Sequence, residues 1–306
     1  MVVGEFCKFV VGIRNRETKM KVFRVLTWLL VALVGTVSVS SCGGKSDSSK
    51  PVVTVSIEPQ RYLLEKIVGD SIEINVLLAD GTNPETFNPS METMKQIAKS
   101  DAYFSIGLLG FEPSLIEKLK SNNPDLNVVD TSSGIVLISG GCSGHGEGYD
   151  PHVWSSARNA KVIARTMYEE ILKIDPDNKA FYEQNYNTLL GELDGLDAYA
   201  VEKLSGKTGC AFVVWHPSLS YFADDYGLHQ ISVGQEGKEQ SMEHLRHCIE
   251  EVAEHGAQVG FVQKEFDAKA RSVMENDMKL SCVDVNLLSY DWDTEMRKVI
   301  DAIAEK

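Results

Sequence analysis

The sequence predicts an α/β fold in which two βα lobes with parallel sheets are bridged by one long rigid helix, leaving a cleft between the lobes. Three observations predict this class. Short apolar runs alternate with amphipathic stretches in both halves of the chain, as in βα units. Between the halves, residues 175–206 carry an unbroken apolar stripe at helical spacing. The 306 residues, 43% of them hydrophobic, suffice for two lobes.

Residues 1–41 have the composition of a signal segment. Lys21 and Arg24 precede an apolar run over residues 25–39. At 15 residues, this run is shorter than the roughly 20 that span a bilayer, and it matches the core of a signal peptide. Met20 is the expected start of translation, because the residues before it match no part of such a signal.

The residues that follow predict a lipid anchor. The sequence Val-Ser-Ser-Cys at 39–42 resembles the bacterial lipoprotein box, in which the cysteine is lipidated and becomes the N-terminus. Residues 42–51, rich in Gly, Ser and Lys, are predicted to form a flexible tether. We therefore expect the mature chain to be held on the outer side of a bacterial membrane through Cys42.

Four further cysteines lie in a compartment that permits disulfides, namely Cys142, Cys210, Cys248 and Cys282. They allow three pairings, among which the sequence alone does not decide. We favour a bridge between Cys248 and Cys282, within the C-terminal half.

The N-terminal lobe is predicted over residues 52–174. Its apolar runs predict strands at residues 52–57, 72–79, 102–106, 128–129 and 135–138. Helices are predicted between them at residues 60–68, 91–99 and 111–120. This alternation indicates a parallel sheet with helical crossovers.

The bridging helix is predicted over residues 175–206. Asp175 followed by Pro176 is a strong helix start, and Ser205-Gly206 is a stop signal. Apolar residues recur at spacings of four and three at Tyr182, Tyr186, Leu189, Leu193, Leu196 and Ala200. About 28 residues at 1.5 Å each give a length on the order of 40 Å, enough to brace two lobes.

The C-terminal lobe is predicted over residues 207–306 and repeats the βα pattern. Strands are predicted at residues 210–215, 230–233, 259–263 and 281–285. Helices are predicted at residues 218–225, 241–255, 268–278 and 296–303.

Charge excludes one class of partner. The formal net charge is −14, and residues 1–41 contribute +4, so the rest of the chain carries −18. Nucleic acid is not an expected partner at this charge. A cationic ligand is compatible with this negative charge, although most acidic side chains on a protein surface are simply solvated.

A glycine-rich stretch at residues 144–148 ends in Asp150-Pro151-His152. Proline fixes its own φ and favours an extended conformation for the residue before it, so His152 follows a rigid point in the chain. An imidazole held in a fixed direction suits metal ligation. The alternative is a histidine with only a structural role in a loop.

Three more polar residues follow predicted strands, namely Glu85, His216 and Asn286. In open α/β sheets, ligands bind beyond the carboxyl ends of the strands. With His152, these residues come from both halves of the chain, so they can converge only in a cleft between the lobes. Each alone is explained equally well as a helix cap or a surface group, but together they predict one metal site.

Taken together, these motifs resemble the metal-binding solute-binding lipoproteins of ABC importers for zinc and manganese. The resemblance covers residues 52–306, nearly all of the mature chain. The matching stretches are 83–89, 107–112, Asp-Pro-His-Val-Trp at 150–154, His-Pro-Ser-Leu-Ser-Tyr-Phe at 216–222, 226–228 and Asn-Leu-Leu at 286–288.

The resemblance implies a ligand set. The second and third histidine ligands of the family fall on His152 and His216. The first ligand, normally histidine, falls on Glu85, and the fourth, normally aspartate, falls on Asn286. Zinc-selective relatives often carry a long His-rich loop before the Asp-Pro-His stretch, of which this chain retains only His145.

Two imidazoles and one carboxylate suit Zn²⁺, and with more oxygen ligands they suit Mn²⁺ or Fe²⁺. The resemblance therefore implies a monomer that captures a divalent metal, zinc first and manganese as the alternative, for an ABC permease. A lipid-anchored metalloenzyme is the rival, because an open His₂Glu site can also be catalytic. The motifs of zinc proteases, serine hydrolases and phosphate loops are absent from the sequence, so no enzyme is expected. A surface adhesin is a third possibility.

Weaker candidate sites have simpler explanations. His244, His247 and Cys248 share one helical turn, for which a solvated helix face is the preferred interpretation. Cys142 and His145 have plausible ligand spacing but belong to the glycine-rich stretch. The tryptophans Trp154, Trp215 and Trp292 could line the cleft or pack in the cores.

Overall fold

The computed structural model describes residues 50–79, 81–139, 148–234, 241–263 and 268–306. The predicted signal segment and most of the tether lie outside these ranges, together with Cys42, Cys142 and His145. Within the described ranges, no helix has both the length and the apolar character needed to cross a membrane.

The N-terminal lobe is built on a four-stranded parallel sheet with the strand order β2-β1-β3-β4. The strands are β1 (Val52–Val55), β2 (Glu73–Val76), β3 (Ala102–Ser105) and β4 (Val128–Asp130). The helices are α1 (Glu58–Val68), α2 (Met91–Ile97) and α3 (Glu112–Asn122). The central strands are almost fully buried, as expected for a parallel sheet whose connecting helices cover its faces.

The strand predicted at residues 135–138 is wrong, because these residues form no strand and only the next residue, Ser139, forms an isolated bridge, with Tyr149. The backbone N–H of Asp150 donates to the carbonyl oxygen of Ile138 at 2.9 Å. The N–H of Ile138 in turn donates to the hydroxyl of Tyr221 at 3.3 Å. These hydrogen bonds connect the segment to the stretch before His152 and to the C-terminal lobe instead of to β4.

Two helices follow the N-terminal lobe, α4 (Ala157–Ile174) and α5 (Lys179–Lys203). Helix α5 begins later than the predicted residue 175, because Pro176–Asn178 forms a 3₁₀ turn. Its 25 residues extend for about 38 Å at 1.5 Å per residue.

The C-terminal lobe is a second four-stranded parallel sheet, with the order β6-β5-β7-β8. The strands are β5 (Ala211–Val214), β6 (His229–Ser232), β7 (Val259–Gln263) and β8 (Ser281–Val285). The helices are α6 (Ser220–Tyr226), α7 (Met242–His255), α8 (Ala268–Ser272) and α9 (Trp292–Ala304). The helix predicted at 268–278 is interrupted, because a π-helical segment, Val273–Asp277, follows α8.

Helix α5 contacts both lobes along its length. Lys66 of α1 forms an ion pair with Glu192 of α5, with 2.6 Å between nitrogen and oxygen. Further along α5, the Tyr199 hydroxyl donates to the carboxylate of Asp301 in α9. The predicted apolar stripe supplies its buried face. The two lobes therefore share one bracing helix, as predicted.

The disulfide favoured from the sequence is wrong, because the thiol of Cys282 is free. Cys248 and Cys282 pack in the same apolar cluster of the C-terminal lobe. The sulfur of Cys248, however, lies 3.5 Å from the carbonyl oxygen of Ser232 and 3.4 Å from the imidazole of His244. The two cysteines therefore share an apolar cluster without forming a disulfide.

Candidate metal centre

His152 is held rigidly by the residue two positions before it. One carboxylate oxygen of Asp150 accepts the backbone N–H of His152 at 2.8 Å and lies 2.8 Å from Nδ1 of the same imidazole. Both residues are buried. Burial alone would raise the pKa of Asp150, but its hydrogen bonds and electrostatic interaction with His152 outweigh burial and lower that pKa. Asp150 therefore stays an anion that accepts the Nδ1 proton, which leaves Nε2 with its lone pair.

His216 follows the carboxyl end of β5 and is fixed through its backbone. The side chain of Gln263, the last residue of β7, accepts from the His216 N–H at 3.3 Å and donates to its carbonyl oxygen at 2.6 Å. The same amide donates to the hydroxyl of Ser218 at 2.7 Å. Because β5 and β7 are neighbours, their carboxyl ends bring these groups together.

Glu85 reaches His216 from the N-terminal lobe. It lies in the turn region after β2, where its N–H donates to the side chain of Asn83 at 2.8 Å. Its carboxylate lies 3.0 Å from Nδ1 of His216. This hydrogen bond is the main cause that lowers the pKa of Glu85 from its ordinary value of 4.5, while partial burial opposes it. Glu85 therefore lies beside Nδ1 of His216 as Asp150 lies beside Nδ1 of His152.

The two imidazoles face each other across the cleft. Their Nε2 atoms are 3.0 Å apart, and their ring planes are inclined by 76°. A neutral imidazole that donates its Nδ1 proton to a neighbouring carboxylate keeps a lone pair on Nε2, so two such rings can offer both lone pairs to a cation between them. Tetrahedral zinc with bonds of about 2.0–2.1 Å places two nitrogen ligands roughly 3.3 Å apart. The pair is thus close to the spacing that a metal requires.

A cavity of about 30 Å³ surrounds the two imidazoles, room for an ion with a water molecule or two. Its lining residues are Asn83, Pro84, Glu85, His152, Trp154, His216, Ser218, Gln263, Leu287 and Leu288. Trp154 forms one wall, and its indole N–H donates to the carbonyl oxygen of Leu287 at 3.0 Å. Behind this wall, the buried indole N–H of Trp292 donates to the carbonyl oxygen of Trp154 at 2.9 Å.

The fourth predicted ligand, Asn286, is not among the residues that line this cavity. Its side-chain oxygen accepts the N–H of Leu288 at 3.2 Å, and its own N–H donates to Glu295 at 2.9 Å. The structure thus brings Glu85, His152 and His216 together, while Asn286 stays a prediction that requires its side chain to turn.

Sequence reasoning missed Gln263 as a residue that positions the site. It is the last residue of a predicted strand, and the rule on carboxyl ends that selected Glu85 and His216 would have selected it as well. The position of Asp150 as acceptor of the His152 proton was also not anticipated.

Comparison with known proteins decides the family. Residues 53–305 match the family model described as zinc-uptake complex component A, periplasmic (ZnuA). The chain belongs to this family. It is also similar to a crystal structure of ZnuA, with a TM-score of 0.76 and 33% identity over 83% of this chain and 98% of that one.

Named relatives include proteins for both metals. The manganese ABC transporter substrate-binding lipoprotein scaA of Streptococcus gordonii is 27% identical over 94% of this chain and 92% of its own length. The zinc-binding lipoprotein AdcA of Streptococcus pneumoniae is 24% identical over 68% of this chain and 44% of its own length. The chain is therefore a metal-binding substrate-binding component of an ABC importer. The family is one of solute-binding transport components and not of enzymes.

Metal binding is expected to weaken by one to two orders of magnitude between pH 7.5 and pH 5.5. Protons compete for the two Nε2 atoms in the range where histidine ordinarily titrates, near pH 6.5. The pKa of Glu85 is lowered from 4.5, so this carboxylate stays charged at pH 5.5 and does not cause the loss. Calorimetric zinc titrations at the two pH values would measure it. Equal affinities at both would mean that His152 and His216 do not hold the ion.

Proposed function

We propose that this protein captures Zn²⁺ in the cleft and delivers it to the permease of an ABC importer. The proposed ligands are Nε2 of His152, Nε2 of His216, the carboxylate of Glu85 and the amide oxygen of Asn286. The observation that carries the proposal is the pair of Nε2 atoms 3.0 Å apart, in a cavity that Glu85 also lines. Asn286 would turn towards the ion when it binds, and Glu85 would leave Nδ1 of His216 to do the same.

Zinc is favoured over manganese by the donor set. Imidazole nitrogen is a good ligand for Zn²⁺, whereas Mn²⁺ prefers more oxygen ligands and a higher coordination number. Among the described residues that line the cavity, Glu85 is the only one with a carboxylate, and the wall formed by Trp154, Leu287 and Leu288 is largely apolar. Manganese remains the second candidate, because the relative from Streptococcus gordonii bears that metal in its name.

The test must separate the metals by more than their order of affinity, because Zn²⁺ binds more tightly than Mn²⁺ at almost any nitrogen and oxygen site. We expect the Mn²⁺ affinity to be weaker by at least about 1000-fold, and Co²⁺ in the cleft to show the intense visible bands of a four-coordinate ion. Cells that lack the protein should grow poorly under zinc limitation and normally under manganese limitation. Tight Mn²⁺ binding with the weak Co²⁺ spectrum of six-coordination would support manganese instead.

We further propose that the protein works as a monomer held to the membrane by a lipid on Cys42. The motive is the lipoprotein box at residues 39–42, and relatives are named lipoproteins. Membrane fractionation of a Cys42→Ser chain tests the anchor, because the variant should no longer partition with membranes. A variant that stays membrane-bound would exclude Cys42 as the attachment point.

A further inference from the structure

A second cluster of metal-ligating side chains lies in the C-terminal lobe, formed by His229, Glu251 and His255. One ligand atom from each residue lies within 4.8 Å of the other two. Nε2 of His229 is 3.0 Å from the carboxylate of Glu251, and the rings of His229 and His255 have centroids 4.4 Å apart. Two imidazoles and one carboxylate are the same donor types that converge in the cleft.

The cluster and the cleft lie at opposite ends of one sheet. His229 is the first residue of β6 and pairs with Ala211, the first residue of β5. His216 comes after the carboxyl end of β5. Ala211 and His216 are five positions apart, roughly 16 Å of extended chain at 3.3 Å per residue. One ion therefore cannot be shared between the two sites.

Helix α7 presents the other two side chains together at its carboxyl end. Glu251 and His255 are four residues apart, so they share one face of the helix. The helix ends at Gly256, which has a φ of +65°. The unpaired carbonyl groups of a helix C-terminus give it negative potential, which favours a bound cation. The position of His229 is fixed by its N–H, which donates to the Cys210 carbonyl at 2.9 Å.

We propose that His229, Glu251 and His255 form a second site for a divalent transition metal such as Zn²⁺, distinct from the cleft. In a tetrahedral site the ligand atoms would be roughly 3.3 Å apart, so separations that are now within 4.8 Å would have to close by at most about 1.5 Å. His255 is exposed and has room to rotate. Water completes the coordination, because the side chain of His229 is 41% exposed.

This second site binds more weakly than the cleft. Its side chains are partly exposed and must rearrange, whereas the cleft imidazoles are buried or nearly so and already face each other. The competing explanation is an ordinary hydrogen bond between His229 and Glu251 with a neighbouring ring. In that case, the three side chains would hold no ion.

Zinc titration of the untagged full chain by calorimetry tests the proposal. The wild type should bind two equivalents, the second at least about 10-fold more weakly than the first, since its ligands are less well fixed. The variant His229→Ala/His255→Ala should lose only the weak equivalent and keep the tight one, which also reports that it is folded. The variant His152→Ala/His216→Ala should keep the weak equivalent.

Two controls separate this site from other ligands. Cys210→Ser removes the exposed thiol next to β6, and His247→Ala removes an exposed histidine of the same helix. Both should keep two equivalents. A single equivalent in the wild type would overturn the proposal, as would a second equivalent that survives His229→Ala/His255→Ala or disappears in either control. None of these outcomes depends on which metal is transported.

Discussion

Replacing either cleft histidine by alanine, His152→Ala or His216→Ala, is expected to weaken zinc binding in the cleft by more than about 100-fold. Loss of a residue that only orients a ligand typically costs 10–100-fold, and each of these residues is proposed to be a ligand itself. Competition with a chromophoric chelator measures affinities in this range. The loss should be similar for the two variants, because the proposed ion would bind both Nε2 atoms.

The matched control is His247→Ala. His247 is an exposed residue of α7 that belongs neither to the cavity lining nor to the cluster at the end of that helix. Its removal should leave the tight affinity unchanged within about twofold, as for a surface change far from the site. If His247→Ala cost as much as His152→Ala, the tight site would not be in the cleft.

The second large effect expected on zinc affinity concerns the carboxylate of Glu85, the proposed anionic ligand of the cleft. The resemblance to metal-binding lipoproteins implies that relatives have histidine and aspartate where this chain has Glu85 and Asn286, so that the carboxylate would have changed sides while the net charge stayed the same. Glu85→His is expected to weaken zinc binding by at least about 10-fold, because unit charges 4 Å apart interact by roughly 4 kcal/mol at a dielectric of 20 and partial exposure reduces this. Asn286→Asp should add a second anion and improve Mn²⁺ binding relative to Zn²⁺.

The double variant should recover much of what Glu85→His loses. This coupling should exceed the ~0.5 kcal/mol found for independent sites. Glu92→His is the control for charge alone, because its carboxylate is 71% exposed on α2, away from the cavity. Simple additivity of the two cleft changes would mean that Asn286 keeps its hydrogen bond to Leu288 and does not share the ion.

Much of this architecture can be predicted from the sequence, because local apolar patterns indicate the strands and helices, and the ends of the strands indicate where a ligand would bind. Alternating apolar runs located all eight strands of the two described sheets, and the rule on carboxyl ends selected Glu85 and His216. The rigid Asp150-Pro151 step selected His152, and the structure adds that Asp150 also accepts its Nδ1 proton.

The remainder depends on contacts that local patterns do not encode. Residues 135–138 are apolar enough for a strand, but Ile138 forms hydrogen bonds with Asp150 and Tyr221 instead of with a neighbouring strand. Tyr221 is 83 residues away in the sequence, so no local pattern predicts this pairing. The cluster of His229, Glu251 and His255 joins a strand to a helix end, and His229 and Glu251 are 22 residues apart. Only the packing of α7 on β6 brings them together.

The central claim is that one ion lies between the Nε2 atoms of His152 and His216. Anomalous diffraction at the zinc absorption edge, from crystals of the zinc-loaded protein, tests it most directly. We expect a strong peak in the cavity about 2.0–2.1 Å from each Nε2 atom, with a weaker peak at His229 and His255. A fully occupied zinc peak elsewhere, with none between the two cleft imidazoles, would contradict it.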